Sequence, residues 1–334
     1  MQLIKPDINL DFVGKRKLAL LFSAFLLLIG IGSLIFQGGP NYGIDFVGGT
    51  LVQVKIDAEA STSTIKEALK EIQLGGLVVQ GFGDESNEFL IRAQSTSAEL
   101  KDVSNQISAS LEAKFGAGTV EVRRSEMVGP QVGKDLREKG IMAVVYAMIG
   151  ILIYITMRFE FRFAVGAIIA LIHDVAITIG VFSLFGKEID LPIIAAFLAI
   201  IGYSLNDTII VYDRIRENMG KLSKSEFPVI VNRSINETLS RTILTSGTTL
   251  LVVVSLFALG GGVIHNFAFA LLVGVLIGTY SSVFVASPLL IYWDDYKAAK
   301  ETKGTKGTKE TKETKGSKGT KGTKGTKVTK EKSA

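Results

Sequence analysis

The stretch Leu191–Tyr212 reads LPIIAAFLAIIGYSLNDTIIVY and contains a single charged side chain, that of Asp207. About 20 such residues in a helix span the ~30 Å hydrocarbon core of a bilayer. Five further apolar runs have comparable lengths, and 47% of the chain is hydrophobic. The sequence therefore predicts a polytopic α-helical membrane protein with six transmembrane helices, at 18–36, 141–157, 163–185, 191–212, 243–259 and 267–293.

Lysine and arginine residues mark the connections that face the cytoplasm. The first 17 residues carry four of them, the loop 158–162 carries two and the loop 213–242 carries six. The alternate connections, 186–190 and 260–266, carry one and none. We therefore expect both termini to be cytoplasmic. The predicted cytoplasmic segments are 1–17, 213–242 and 294–334, and the predicted periplasmic segment is 37–140.

The periplasmic segment alternates between strand and helix patterns. Strand-like stretches occur at 51–56, 77–82, 88–93 and 119–127, and helical spacing occurs at 61–73 and 97–115. Ser61 or Ser63 can cap the first of these helices. The order β-α-β-β-α-β is typical of a ferredoxin-like fold, so we expect an inserted α+β domain of this type. The segment contains no histidine or cysteine, which favours a solvated interaction domain over an enzyme.

Ionisable residues within the apolar runs are candidate functional residues, because a charge at the centre of a membrane helix costs about 2.5–3.5 kcal/mol. His173 and Asp174 lie near the middle of the third run, and Asn206 and Asp207 lie in the fourth. Arg241 begins the fifth, beside a hydroxyl-rich stretch. For His173 and Asp174 a purely structural hydrogen-bonding role stays open.

Asp207 is the strongest candidate for a protonation switch. Arg214, with its neighbour Asp213, follows on the same helix, but seven residues separate Arg214 from Asp207, or ~10 Å at ~1.5 Å per residue. Arg241 is expected to reach Asp207 if the fourth and fifth helices pack together. Burial favours a protonated carboxyl and a nearby arginine favours the ionised form, so movement of the arginine would load or release a proton.

The sixth run contains Gly274 and Gly278, with Ser281 one turn further. Small residues at this spacing permit close packing of membrane helices. We expect helix packing here, without a specific partner.

Several segments together resemble the signature blocks of the SecF family of protein-export subunits, within the RND-type permease superfamily. They occur in the family's order across residues 1–293. The blocks read YGIDFVGGT at 42–50, RFEFRF at 158–163, IALIHDVAITIG at 169–180, IGYSLNDTIIVYDRIREN at 201–218, RTILTSGTT at 241–249 and LFALGG at 256–261.

This resemblance implies an accessory subunit of the Sec translocase in the bacterial inner membrane. Its expected partners are SecD, the SecYEG channel, unfolded secretory proteins at the outer domain and membrane lipids, with YajC and YidC as further candidates. No nucleic acid is expected. In the family, the proton motive force drives late steps of translocation, and the positions matching the family's proton path are Asp207 and Arg241.

No cofactor and no enzymatic activity are expected. The chain has no cysteine, so disulfides, cysteine-based zinc sites and iron–sulfur clusters are excluded. It also lacks a G-x-x-x-x-G-K-[ST] loop for ATP. A lysine-rich tail of triplets, 301–330, is predicted to be disordered. Contact with anionic lipids, contact with the ribosome and a plain spacer role all stay open for this tail.

Two alternatives remain at this point. One is a subunit of an RND-type small-molecule exporter, although its outer domains would be expected to be larger. The other is a scaffold of the translocon that transports nothing, which predicts that a neutral residue at Asp207 leaves export intact.

Overall fold

The computed structural model describes residues 8–72, 75–82, 87–94 and 103–300. In these ranges the α-helices are α1 (Arg16–Phe36), α2 (Ile44–Val47), α3 (Thr62–Ala68), α4 (Val103–Phe115), α5 (Pro130–Arg158), α6 (Phe161–Leu184), α7 (Leu191–Lys221), α8 (Phe227–Leu259) and α9 (Gly262–Ser281). The strands are β1 (Gly49–Ile56), β2 (Gly75–Gly81), β3 (Glu88–Gln94) and β4 (Val120–Val128). A 3-10 turn covers Lys70–Ile72 and a π-helical turn covers Ser282–Ala286. Residues 289–300, the described part of a second unit of the chain, are helical.

Six helices of the described part are long and apolar enough to cross a membrane, which confirms the predicted fold class. Their spans are Arg16–Phe36, Pro130–Arg158, Phe161–Leu184, Leu191–Lys221, Phe227–Leu259 and Ile264–Lys300. The helix α6 is mostly buried within the bundle, whereas α1, α5 and α8 expose most of their apolar surface. We therefore expect the buried functional polar groups of the bundle to lie on α6 and its neighbours.

Three helices, α5, α7 and α8, extend well beyond the runs that hydropathy delimits. Most of the segment 213–242 is helical, because α7 continues to Lys221 and α8 already begins at Phe227. Residues 130–140, counted with the outer segment, form the first turns of α5. Ion pairs spaced three and four residues apart stabilise the polar end of α7, from Glu217 to Arg214 and Lys221. Hydropathy shows where a helix leaves the lipid. The helix itself continues for as long as its backbone N–H and C=O groups are hydrogen-bonded within it.

The outer domain has a four-stranded antiparallel sheet with the strand order β2-β3-β1-β4. This order and the β-α-β-β-α-β sequence of elements are those of a ferredoxin-like domain. Val52, Val54 and Ile56 alternate along β1, are fully buried, and pack against α3 and α4. Ser61 caps α3 by accepting from the backbone N–H of Thr64, so the first of the two expected caps is the one used.

Some sequence predictions fall on residues that are not described. The second predicted helix of the domain, 97–115, is observed from Val103 onward, and residues 97–102 lie outside the described ranges. The same holds for residues 83–86, between the second and third predicted strands, for the tail 301–334 and for residues 1–7.

The base of the outer domain is tightly built around Gly48. This glycine has a φ of +81°, and a side chain there would meet the Cα of Pro130 at 2.7 Å. Only glycine combines this backbone conformation with such a close approach. The entry strand β1 and the exit helix α5 are thereby held side by side.

Candidate functional site

Asp207 lies on α7 at the centre of a polar group that joins three helices, and only 1% of its surface is exposed. Its Oδ2 accepts a hydrogen bond from Ser246 of α8 at 3.4 Å. Ser246 is also hydrogen-bonded to Thr279 of α9 at 2.8 Å and accepts one from the Tyr203 hydroxyl at 3.2 Å. The Oδ1 of Asp207 is buried and accepts no hydrogen bond from any described residue.

The single hydroxyl hydrogen of Ser246 cannot serve all its neighbours. Thr279 donates its own hydrogen to the carbonyl of Val275 at 2.7 Å. Ser246 therefore donates either to Thr279 or to Asp207, since a hydroxyl has one hydrogen to give. Asp207 is left with at most one long hydrogen bond and with free lone pairs on Oδ1. Such a buried carboxyl can take up a proton without breaking an existing hydrogen bond at that oxygen.

Arg241 lies on α8 and is exposed on the surface of the bundle. It is close enough to Asp207 for an electrostatic interaction, yet no ion pair of 4.0 Å or less joins the two side chains. The helices α7 and α8 do pack together, as the Tyr203–Ser246 hydrogen bond shows. The Arg241 side chain therefore lies near the Asp207 carboxyl without forming an ion pair with it.

Asp213 and Arg214 belong to a different cluster, beyond the apolar part of α7. Arg214 pairs with Glu217 at 2.9 Å and with Glu237 of α8 at 3.6 Å. Asp213 pairs with Arg158 of α5 at 3.3 Å. Both are engaged in ion pairs there, so the structure does not bring them to the buried carboxyl.

Asp174 is the centre of a second buried cluster, on α6. Its Oδ1 lies 2.9 Å from Nδ1 of His173, and its Oδ2 accepts hydrogen bonds from Ser204 of α7 at 2.6 Å and from Ser281 at 2.7 Å. The side chain is completely buried. In contrast to Asp207, both oxygens of Asp174 have donors.

The two glycines of α9 lie directly against α7. A Cβ at Gly274 would come within 2.3 Å of the Ile200 side chain, and one at Gly278 within 2.9 Å of the Ser204 Cβ. This close contact brings Ser204 and Ser281 to the same carboxylate oxygen.

Asn206, also on α7, points away from both clusters and is exposed. Sequence reasoning gave no role to Ser204 or Tyr203, because a lone hydroxyl in an apolar run is a weak signal. Their spacing of three and four residues before Asp207 is the one indication that they share its helix face.

A second noteworthy region is the outer junction, where residues 41–45 meet residues 188–191. The backbone N–H of Gly43 donates to the carbonyl of Ile189 at 2.8 Å, and that of Ile189 donates to the carbonyl of Asn41 at 2.7 Å. Arg92 of β3 forms an ion pair with Glu188. Burial lowers the pKa of Arg92 below its ordinary value. The outer domain is therefore attached to the connection that leads into α7.

Asp190 caps α7 at this junction by accepting from the N–H of Ile193 at 3.1 Å. Asp45 accepts from the N–H of Leu191 at 3.0 Å, so two carboxylates share one helix N-terminus. Burial, with a further contribution from the Asp45 charge, raises the pKa of Asp190 to about 6, although its hydrogen bond from Ile193 opposes the shift.

A cleft of about 860 Å³ lies between the outer domain and the end of the bundle. The sheet contributes the face opposite its helices, including Gln53, Leu90 and Arg124, and the bundle contributes Lys187 and Phe257. The cleft leaves room for the outer domain to change its position above the membrane helices.

Comparison with known proteins identifies the family. Residues 107–296 match the family model described as protein export membrane protein SecD/SecF, C-terminal, and residues 33–60 match the SecD/SecF GG motif. The chain belongs to the SecD/SecF family. The protein translocase subunit SecF of Magnetococcus marinus is 49% identical over 308 residues, which cover 90% of this chain and 98% of that protein. The SecF subunit of Calditerrivibrio nitroreducens is 46% identical, with 87% and 96% covered. The resemblance seen in the sequence blocks is confirmed.

Solved SecDF structures share the fold of this family member. The crystal structure of SecDF from Thermus thermophilus, a translocon-associated membrane protein, superposes with a TM-score of 0.79 at 38% identity and covers 88% of this chain. A SecDF in the super-membrane-facing form gives 0.65, also at 38% identity, and covers 91%. The chain spans 40% and 41% of the lengths of these SecDF chains. Both structures are equally identical to this chain in sequence, so the higher TM-score means that the arrangement of this chain is closer to that of the first structure.

Proposed function

We propose that this chain is the SecF-type subunit of a Sec translocase and that, with a SecD-type partner, it uses the proton motive force to promote late steps of protein translocation across the cytoplasmic membrane. The observation that carries the proposal is the state of Asp207. It is a buried carboxyl in the middle of a membrane bundle, one of its oxygens accepts no hydrogen bond from a described residue, and Arg241 lies nearby without forming an ion pair with it.

The proton step follows from this geometry. A proton from the outer side binds Asp207 and neutralises a charge that is costly to bury. Approach of the Arg241 guanidinium then favours the ionised carboxyl, because an opposite charge within about 4–6 Å stabilises it. The proton leaves toward the cytoplasm. Each proton contributes about 2.3 kcal/mol per 100 mV of membrane potential, enough to shift a conformational equilibrium of a few kcal/mol.

The outer junction supports a route from the proton site to the outer domain. The same helix, α7, carries Asp207 in its apolar part and begins beside Ile189, which is hydrogen-bonded to Asn41 and Gly43 at the base of the domain. A helix transmits displacement along its axis because its backbone hydrogen bonds are satisfied internally. A shift of α7 therefore moves the point at which the outer domain is attached. The cleft between the outer domain and the bundle gives the domain space for this movement.

The bundle surface supports the need for a membrane partner. Asn206 and Arg241 are both exposed, and the exposed Thr248 lies two turns beyond Arg241 on α8. Polar groups at membrane depth avoid lipid and face protein or water. We assign this polar face to the SecD-type partner, which the solved SecDF chains carry within one polypeptide of greater length. SecYEG, YajC and YidC are proposed as further members of the assembly.

The distribution of Lys and Arg supports an inner-membrane protein with both termini in the cytoplasm. The ferredoxin-like domain then lies on the outer side, where emerging secretory proteins would meet it. The apolar helix faces account for the expected lipid contacts. A transport role without enzymatic activity agrees with the relatives' description as translocase subunits.

The test replaces Asp207 by asparagine in cells whose only copy of this chain is the variant. We expect the complex to assemble, as measured by co-purification, while export of a secreted reporter loses its dependence on the proton gradient. The matched control is Glu217→Gln, which changes an exposed carboxyl on the same helix and should leave export normal. Unchanged export by the Asp207→Asn chain would contradict the proton role and favour a scaffold.

A further inference from the structure

The second buried cluster contains a histidine that is hydrogen-bonded to a carboxylate. His173 lies beside Asp174, with Nδ1 of the ring 2.9 Å from Oδ1 of the carboxylate. A carboxylate only accepts, so Nδ1 carries the hydrogen of this bond. In a neutral ring Nε2 then has a free lone pair. Nε2 is buried and has no hydrogen-bond partner among the described residues, and the whole side chain is only 7% exposed.

The surroundings of the ring leave Asp174 without another cation. Two neutral hydroxyls, from Ser204 and Ser281, complete its hydrogen bonds. Among the described contacts, the titratable groups that face the ring are Asp174 itself and Tyr280, whose ring centroid lies 6.5 Å away. The helix α7 contributes Ser204 to the cluster, with Asp207 one turn further along.

The hydroxyl of Tyr280 is already occupied by α1. It donates to the carbonyl of Ala19 at 2.6 Å and lies 3.1 Å from the Ser23 hydroxyl. The two groups of α1 that are hydrogen-bonded to the Tyr280 hydroxyl are neutral. A buried carboxylate that lacks a cation is costly, and a cation at His173 would remove that cost.

We propose that His173 and Asp174 form a second proton-binding site of the bundle, with Nε2 of His173 as the atom that takes the proton. On binding, one proton adds to the Nε2 lone pair and the ring becomes an imidazolium paired with the Asp174 carboxylate. On release the same proton leaves Nε2. Asp174 is thus a positioning residue that fixes the tautomer and balances the charge.

The position of the site connects it to the first one. Ser204 donates to Asp174 and lies one helical turn from Asp207, so both proton sites share one face of α7. The ring of His173 also stacks on Tyr280 of α9, which is hydrogen-bonded to α1. A role of this second site in transport rests on the function proposed above. Proton binding by His173 does not depend on that function.

The chain contains two histidines, which makes a direct measurement feasible. The full chain is labelled with 15N-histidine, placed in lipid nanodiscs and titrated between about pH 5 and 9 by NMR. In the His265→Asn chain every imidazole signal belongs to His173. We expect Nδ1 to stay protonated over the whole range and Nε2 to gain a proton as the pH falls. An Nε2 that stays unprotonated throughout would overturn the proposal.

The matched functional comparison uses His173→Asn, because the asparagine amide N–H can replace the Nδ1–H donor to Asp174 but cannot bind a proton. We expect His173→Asn to reduce proton-driven export at least several-fold, while His265→Asn leaves it unchanged. A His173→Asn chain that exports normally would refute a role in transport even if the ring titrates. If Asp207→Asn abolishes proton-driven export while His173 does not titrate, this inference fails and the proposed function stands. If His173 titrates and the Asp207→Asn chain exports normally, the proposed function fails and this inference about a second proton-binding site stands.

Discussion

Asparagine at position 190 would remove a charge from the outer junction and keep its hydrogen bond. Asp190 accepts from the N–H of Ile193 as the N-cap of α7, and asparagine is an equally good cap. The variant therefore isolates the electrostatic effect of the carboxylate. The charge of Asp45 also acts on Asp190, and Asp45 accepts from the backbone N–H of Leu191 at the same helix end.

The magnitude follows from the raised pKa of Asp190, about 6 in the folded protein against an ordinary 3.8, with burial as the main cause. The folded state binds the proton more tightly than the unfolded state. The stabilising contribution is complete below pH 3.8 and is lost as the pH rises through about 6. A difference of about two pH units corresponds to about 3 kcal/mol. At pH 7.5 we therefore expect Asp190→Asn to be more stable than the native chain by about 2–3 kcal/mol, after a small loss of helix-dipole interaction.

The assay is thermal unfolding of the purified chain in detergent at about pH 4 and pH 7.5. At pH 7.5 the variant should unfold about 3–4 °C higher than the native chain, and at pH 4 the difference should shrink to about 1 °C or less. Asp57→Asn, at an exposed aspartate of the outer domain, is the control and should change neither curve. An equal difference at both pH values, or a less stable variant at pH 7.5, would refute the reasoning.

Two further predictions concern helix packing and the outer junction. A Cβ at Gly30 would lie 2.9 Å from the Cα of Gly180, so Gly30→Ala should separate α1 from α6 and cost about 1–3 kcal/mol, read as a lower Tm. Gly32→Ala, on the same helix with open space around it, should not lower the Tm, and equal losses from both changes would contradict the packing argument. Glu188→Gln leaves the largely buried Arg92 without its ion pair, and we expect faster hydrogen exchange of the backbone amides at 41–45. Unchanged exchange there would show that the junction does not depend on this pair.

The membrane architecture and the ferredoxin-like domain were accessible from the sequence. The six apolar runs fix the number of crossings, because a bilayer demands a long uninterrupted apolar helix. The alternation in β1 and the helical spacing around Ile65 give the order of the outer elements, since each half-buried element repeats with its own period. The ends of α7 and α8 were not accessible, because hydropathy stops at the lipid boundary and the helices do not.

Asp207 and Arg241 were also recognisable from the sequence as ionisable residues whose placement in a membrane helix costs free energy. The sequence could not show that Oδ1 of the Asp207 carboxyl accepts no hydrogen bond from a described residue, that Arg241 lies exposed beside it, or that Ser204 and Ser281 meet at Asp174. Those facts depend on the rotation and close contact of α6, α7 and α9, to which residues 30 to 107 positions apart contribute. Local pattern determines which elements form and which residues are costly to bury. Only tertiary packing decides which polar groups share a hydrogen bond, because helix rotation is set by side-chain contacts between distant segments.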